Sequence, residues 1–506
     1  SRIGRQLQVR IGIKDIFVHP TVRALAAGVA PSPGPDLPPL VAAEPQAHYP
    51  LSHAQRRFWI QDRLAGADQA NCHPVSFLIE GALNRGALRQ AFQALVQRHE
   101  ILRTIFVEVD GDARQMILPA DAAGFEMVET TLVDSSNVDA AIRLTEQQQA
   151  SIRMDLTTGP LFRVHVVEAG PQQHYCVCSL HHMITDGWSV GVLLDDLTRF
   201  YDRAVAGTDS VLAPLALQYR DFAAWEQQFL GSEASGPMRA HWKTTLDGVP
   251  PLALPSDLPP TPSPYVRASR RVTIGSQLAH DLEALSRRQG GTLFMAMLSC
   301  LKVLLYRHTA QPDICIGTPA SLRFHADLEP QIGPYLNILA LRDRVAGEDT
   351  LTTVLQRVRT TTLDAFTHLL FPFDQVVNDL RLKRVPGRNP LFDVGFTLQN
   401  QHQVQTRRNS DHLHVREIPE RDNVFDDPEA ATDLWFIADP REDDLSLEVV
   451  YNGARFSADR IDRLSGDFLA ILSAFVADPD TRVKAVPLTT ITTVPAGRPV
   501  TIDLGL

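Results

Sequence analysis

Apolar residues repeat at two different periods along the chain, and the switches between them mark its elements. His174-Tyr175-Cys176-Val177-Cys178-Ser179-Leu180 is a β-branched, aromatic and apolar run that predicts a buried strand. A few polar residues later, Val190, Leu194, Leu197, Tyr201 and Val205 recur at helical spacing, with Ser189 placed to cap that helix and Gly207 to stop it. The same criteria predict a capped amphipathic helix at 51–59 and a helix from Asn84 with Leu88, Phe92 and Leu95 on one face. Further on they predict helices at 277–289, 293–306 and 351–370, and a last long one through Ile461, Leu464, Phe468, Leu472 and Phe475. Strands are expected near 271–274, at 314–317, in a run ending at 398–400, and at 445–452. Strand and helix thus alternate in both halves, the pattern of two α/β layered lobes.

Proline places the boundaries. Residues 1–29 are a short helical piece, with Ile3, Leu7, Ile11, Ile16 and Phe17 ahead of Pro20, too small to fold alone. Residues 30–48 carry Pro31, Pro33, Pro35, Pro38, Pro39 and Pro45 among alanines and read as a semi-rigid linker. The stretch from Pro250 to Pro264 is neither helix nor central strand. A first lobe at 49–250, a second at 265–487 and a terminal linker at 488–506 follow.

Composition narrows the class. A chain of 506 residues exceeds one ordinary core. With 48 basic against 59 acidic residues, a net charge of −11 and no basic block, it is not built for nucleic acid. No apolar run reaches the length of a membrane span, and Arg2, Arg5 and Arg10 break the start of the chain as a signal peptide would not be broken. Cys72, Cys176, Cys178, Cys300 and Cys315 are odd in number and lie mostly in apolar runs, as reduced core residues of a cytoplasmic protein do.

The chemistry concentrates between the strand and the helix, in His181-His182-Met183-Ile184-Thr185-Asp186-Gly187-Trp188-Ser189. If the strand runs through both histidines they face opposite sides, so one alone can meet a reaction channel. No further ligand at metal spacing follows, which argues against zinc. Gly187 suits positive φ or a close backbone approach. Asp186 could hold a backbone amide, an arginine or the imidazole.

Seven stretches together, 51–59, 98–106, 180–189, 219–225, 332–342, 368–373 and 387–392, resemble in order the motifs of condensation domains from nonribosomal peptide synthetases. The resemblance covers roughly 49–487, and residues 1–29 resemble the closing helices of a peptidyl carrier domain without its Gly-Gly-x-Ser attachment site. It implies two chloramphenicol-acetyltransferase-like lobes set in a V around a central tunnel. It also implies a donor carrier upstream, an acceptor carrier downstream and an adjacent adenylation domain. The domain itself binds no cofactor, its substrates riding on phosphopantetheine arms, and neither nucleic acid nor membrane is a partner. By the same resemblance His182 is the catalytic candidate, with His181, Asp186 and Gly187 beside it, and Asp186 pairs with Arg98. Trp188, Ser189, Asn337, Arg388 and Asn389 are candidates for the tunnel wall, although Trp188 also suits a core and Arg388 with Asn389 a turn before Pro390.

The implied reaction is attack of an acceptor amine on a donor thioester. An α-amino group has a pKa near 8, so about a tenth of it is neutral at pH 7 and little activation is required. His182 could accept its proton or hold it by a hydrogen bond while backbone N–H groups near Gly187 stabilise the oxyanion. Ester formation with a hydroxyl acceptor and a non-catalytic platform that recruits carriers are the alternatives. An epimerising relative would need a second acid/base in a Gly-His-Gly-Arg-Glu setting, which the sequence lacks.

Overall fold

The computed structural model describes residues 12–19, 21–28, 37–64, 72–121, 125–132, 137–208, 212–258, 265–382, 388–399, 407–418, 432–441 and 444–488. In chain order the elements open with α1 (Ile13–Val18), α2 (Val22–Gly28), β1 (Tyr49–Pro50), α3 (His53–Leu64), β2 (Cys72–Glu80), α4 (Arg85–Arg98), β3 (Thr104–Val109) and β4 (Asp112–Ile117). They continue with β5 (Glu126–Thr131), α5 (Val138–Ala150), β6 (Phe162–Gly170), β7 (Gln173–His181), α6 (Gly187–Val205), α7 (Tyr219–Leu230), α8 (Ser235–Leu246), β8 (Arg267–Gly275), α9 (Ser276–Arg288) and α10 (Leu293–Thr309). Then come β9 (Asp313–Ser321), β10 (Leu336–Arg344), α11 (Leu351–Thr367), α12 (Phe373–Asp379), β11 (Val394–Leu398), β12 (Arg407–Asn409), β13 (His414–Glu417), β14 (Leu434–Pro440), β15 (Asp444–Asn452) and α13 (Ala458–Ala477).

The chain forms two compact units, but not the consecutive stretches 49–250 and 265–487. One unit comprises Ser1–Val249, Ile316–Arg342 and Leu363–Asp433, the other Pro250–Cys315, Asp343–Thr362 and Leu434–Leu506. Local periodicity locates a strand but not its partner, and the second half of the chain returns strands to the first sheet. In the first unit that sheet has the order β12-β13-β2-β7-β6-β5. β2 runs antiparallel to β7, with Cys72 opposite His181 and Glu80 opposite Gln173, and β13 adds outside β2 with His414 opposite Glu80. β7 is buried along nearly its whole length, which is why its sequence is a continuous apolar run rather than an alternation. A small sheet β1-β4-β3 completes the first part of this unit, and further along β9 and β11 run parallel with Gly395 opposite Gly317.

α4 and α6 supply the helical layer. Asn84 caps α4 by accepting from the Ala87 N–H at 3.0 Å, and Leu88, Phe92 and Leu95 point inward. α6 buries Leu193, Leu194, Leu197, Phe200 and Tyr201, and Gly207 with φ +64° ends it. Its cap is Asp186 rather than Ser189: the helix starts three residues earlier, and Ser189 closes the capping box from inside the first turn.

In the second unit β14, β15 and β8 form an antiparallel ladder, with Leu434 opposite Tyr451 and Leu445 opposite Ile274. α10 is apolar all round because it is buried all round. Its one charged interior residue, Lys302, bonds Asp343 at 2.7 Å, and Thr361 donates to the other oxygen of that carboxylate at 2.6 Å. All five cysteines are buried and in no disulfide, and burial pushes the Cys72 thiol up to about 12. Among the described residues no single helix is long and apolar enough to cross a membrane.

Candidate active site

β7 ends at His181 and α6 begins at Gly187, so His182 lies in the turn between them and the strand does not run through the histidine pair. The two rings still have different surroundings. His181 is 1% exposed, and burial holds its pKa down to about 4, so it is neutral near pH 7. Its Nδ1 accepts from the Met183 N–H at 3.1 Å, which places the ring proton on Nε2. His181 therefore braces the turn. His182 is 9% exposed, and its ring lies nearly parallel to that of Phe58, with centroids 5.7 Å apart and an interplanar angle of 13°.

Asp186 is consumed by the scaffold. Its Oδ1 accepts from the Ser189 N–H at 2.9 Å and the Ser189 hydroxyl at 2.6 Å, and its Oδ2 from the Tyr335 N–H at 3.1 Å. One guanidinium nitrogen of Arg323 lies 2.9 and 3.1 Å from the two carboxylate oxygens. The side chains of Arg323 and Asp186 are 3% and 2% exposed. The expected Arg98–Asp186 pair is not formed. Arg98 closes α4 and donates instead to Asp196 at 2.7 Å, where the buried His99 ring lies 2.9 Å from the same oxygen. Asp196 is ten residues beyond Asp186 on α6, about 15 Å farther along the axis at 1.5 Å per residue, out of reach for one arginine to serve both.

The other motifs converge on the same loop. Gly333 donates its N–H to the Ser189 hydroxyl at 3.0 Å and has φ +155°. A Cβ there would meet the Tyr219 ring at 2.1 Å, so only glycine lets the backbone pass. The Tyr219 hydroxyl donates to the Pro334 carbonyl at 3.0 Å and lies 2.7 Å from the Ser52 hydroxyl. Ser52 and Gln55 form a reciprocal capping box at the start of α3, each backbone N–H bonded to the other's side chain at 3.1 Å. The Glu100 carboxylate lies 2.9 Å from Arg220, tying the 98–106 stretch to α7.

All five proposed tunnel residues direct polar atoms at the protein itself. Ser189 serves Asp186 as above. Asn337 donates to the carbonyls of Leu369 and Phe371 at 2.7 and 2.8 Å and accepts from the Phe373 N–H at 3.0 Å. Arg388 forms a two-pronged pair with Asp393 at 2.7 and 2.9 Å, and the Asn389 side chain accepts from the Leu391 N–H at 3.0 Å, shaping the turn. Trp188 is 43% exposed and donates its indole N–H to the Glu329 carbonyl at 2.9 Å, so it is not a core residue. Trp225 is core, with its N–H on the Pro38 carbonyl at 2.8 Å. Gly187 takes the first helical position of α6 and is not in the left-handed region, so of the two alternatives, positive φ or a close backbone approach, the first is not realised. Gly387 lies outside the described residues.

Sequence reasoning missed Arg323, Gln55 and Phe58 as neighbours of the loop. The last two lie in a stretch already singled out, whereas nothing around Ser321-Leu322-Arg323-Phe324 distinguishes its arginine from a surface one. Among the described residues no three His, Cys, Asp or Glu side chains converge as metal ligands.

The Condensation domain family profile matches residues 45–493. Tyrocidine synthase 3 of Brevibacillus parabrevis is 33% identical over 496 residues, which is 96% of this chain but 7% of that protein. Surfactin synthase subunit 1 of Bacillus subtilis (strain 168) is 31% identical over 502 residues, 97% of this chain and 13% of that protein. The chain thus spans only a small part of the length of these relatives. The X-domain from teicoplanin biosynthesis has the same fold, with a TM-score of 0.80 at 24% identity over 89% of this chain and 100% of its own. A holo four-domain nonribosomal peptide synthetase bound to AMP and glycine matches at TM-score 0.75 and 22% identity, over 87% of this chain and 34% of its own. A mixed α/β fold and this family profile define an acyl- or peptidyl-transfer domain. The chain belongs to the condensation-domain family of nonribosomal peptide synthetases.

Proposed function

We propose that this domain joins a carrier-bound acyl or peptidyl thioester to the amine of a carrier-bound aminoacyl acceptor. The amine nitrogen bonds to the thioester carbon, the C–S bond breaks, and the departing thiolate takes up the proton the amine gives up. His182 is the group that receives or holds that proton. The observation that carries this reading is the division of labour in the loop: His181 is buried and neutral, Asp186 is saturated by Ser189, Tyr335 and Arg323, and His182 remains at the margin of burial.

The Ser189 N–H at the start of α6 is taken by the Asp186 cap, so the donors we assign to the oxyanion are the backbone N–H groups near Gly187. Because an amine is partly neutral at pH 7 and a thioester is a good electrophile, positioning supplies much of the rate and His182 about 10²–10⁴. The substrates ride on phosphopantetheine arms, the donor carrier upstream and the acceptor carrier downstream beside an adenylation domain. Trp188 and the polar residues around Asn337, Arg388 and Asn389 shape the passage along which those arms reach His182.

The test is intact-mass analysis of both loaded carriers after incubation with the domain and with His182→Ala. Transfer of the donor mass to the acceptor by the native protein, with a loss of 10²-fold or more in the variant, is the expected result. Wild-type rates in His182→Ala would refute it. A hydroxy-acid acceptor run in parallel distinguishes ester from amide formation, and no transfer to either acceptor would leave a recruiting platform.

A further inference from the structure

The helix α3 reaches the His182 turn at two points and is itself anchored with unusual care. Its cap is the Ser52–Gln55 box, its first N–H donates from His53 to the buried Glu226 carboxylate at 2.7 Å, and the His53 Nδ1 lies 2.8 Å from Asp374. The Ser52 hydroxyl is bonded to Tyr219, which also holds the Pro334 carbonyl. From this fixed start, Gln55 extends its Nε2 to the Met183 carbonyl at 3.3 Å, and one turn later Phe58 lays its ring along the His182 imidazole.

The geometry constrains His182 from both its backbone and its ring. The peptide joining His182 to Met183 is held through its N–H by the His181 Nδ1, and the next peptide through its carbonyl by Gln55. That fixes the direction in which the His182 side chain leaves the turn. The ring plane remains to be set, and a flat, buried aromatic face at 13° to the imidazole does this where an aliphatic side chain of similar volume would not. Phe58 is 3% exposed, so its own rotamer is already fixed by packing.

We propose that Phe58 and Gln55 are positioning residues for the His182 imidazole, holding it in the orientation that meets the acceptor amine. The inference rests on the reading of His182 given above. A misplacement of about 1 Å at a reacting group costs on the order of 10²-fold in rate, which bounds the effect. Two variants isolate it. Phe58→Leu keeps most of the packed volume and removes the flat face. Gln55→Glu keeps the oxygen that accepts from the Ser52 N–H and removes the donor to Met183.

Both variants and His182→Ala are assayed with loaded carriers in the intact protein, together with spectra of histidines carbon-13 labelled in the ring, where His182→Ala identifies the resonance. The expected result is a roughly 10- to 100-fold fall in kcat for Phe58→Leu with KM for the acceptor carrier within twofold. A smaller fall in kcat is expected for Gln55→Glu, with the His182 ring signal broadened in both variants. A Phe58→Leu protein within twofold of native kcat, or one altered only in KM, overturns the inference while an inactive His182→Ala leaves the site reading standing. Native activity in His182→Ala would instead remove the site reading and the inference with it.

Discussion

The Asp186–Arg323 pair allows the division of labour in the loop to be tested quantitatively. Replacing Asp186 by Ala deletes a carboxylate that accepts from the Ser189 N–H and hydroxyl, the Tyr335 N–H and Arg323, and strands a guanidinium whose side chain is 3% exposed. Breaking a buried ion pair by removing one partner costs about 3–5 kcal/mol, and losing a helix cap adds about 1 kcal/mol. Arg323→Met removes the same pair from the other side while filling the space, and Asp186→Ala with Arg323→Met leaves no charge uncompensated. The double variant should therefore be less destabilised than the sum of the singles, with a coupling energy of about 1–3 kcal/mol. The same cycle between Asp186 and Arg98 should give a coupling below about 0.5 kcal/mol, because Arg98 is bonded to Asp196. Urea unfolding of the four proteins in each cycle measures both numbers, and His182→Ala should unfold close to the native midpoint. If Asp186→Ala unfolded like the native protein while losing turnover, or if it coupled to Arg98 and not to Arg323, the assignment of Asp186 to the scaffold would be wrong.

Three further outcomes follow from the same packing. Burial lifts the Glu226 carboxyl from 4.5 to about 7, so between those values the folded protein keeps a proton that the unfolded chain releases, and stability falls as pH rises through that window by up to about 3 kcal/mol. His53, where burial is outweighed by Asp374 and Glu226, is also raised and acts in the same direction; Glu226→Gln should flatten the unfolding free energy measured from pH 5 to 8 and stabilise the protein at pH 8. Gly333→Ala should destabilise by about 2 kcal/mol or more through its clash with Tyr219 and lower transfer activity through Ser189 and Asp186, which urea midpoints and carrier assays read together. His181→Phe leaves the Met183 N–H without its acceptor and should cost about 1–3 kcal/mol, whereas His181→Asn, which offers an oxygen in place of Nδ1, should recover part of that in the same unfolding assay.

Period and punctuation alone located most helices and strands, because burial of one face or of the whole element imprints its spacing on the residues. β7, α4, α6, α10, β15 and α13 all lie where the apolar pattern puts them. Composition and the histidine loop likewise narrowed the chemistry, since few residues combine two imidazoles, a carboxylate and a glycine between a strand and a helix. What tertiary structure decided were the partners. In a linear sequence the resemblance offers Arg98 as the mate of Asp186 and nothing marks Arg323, and only the packing of α4 ten residues along α6 and of the loop after β9 against its first turn assigns them. The return of β12 and β13 to the edge of the first sheet is of the same kind, because strand pairing joins residues hundreds of positions apart through backbone bonds that no local side-chain pattern records. Even the cap of α6 shifted from Ser189 to Asp186 for this reason: both residue types can cap, and the choice belongs to the arginine and the Tyr335 amide that arrive from elsewhere in the chain.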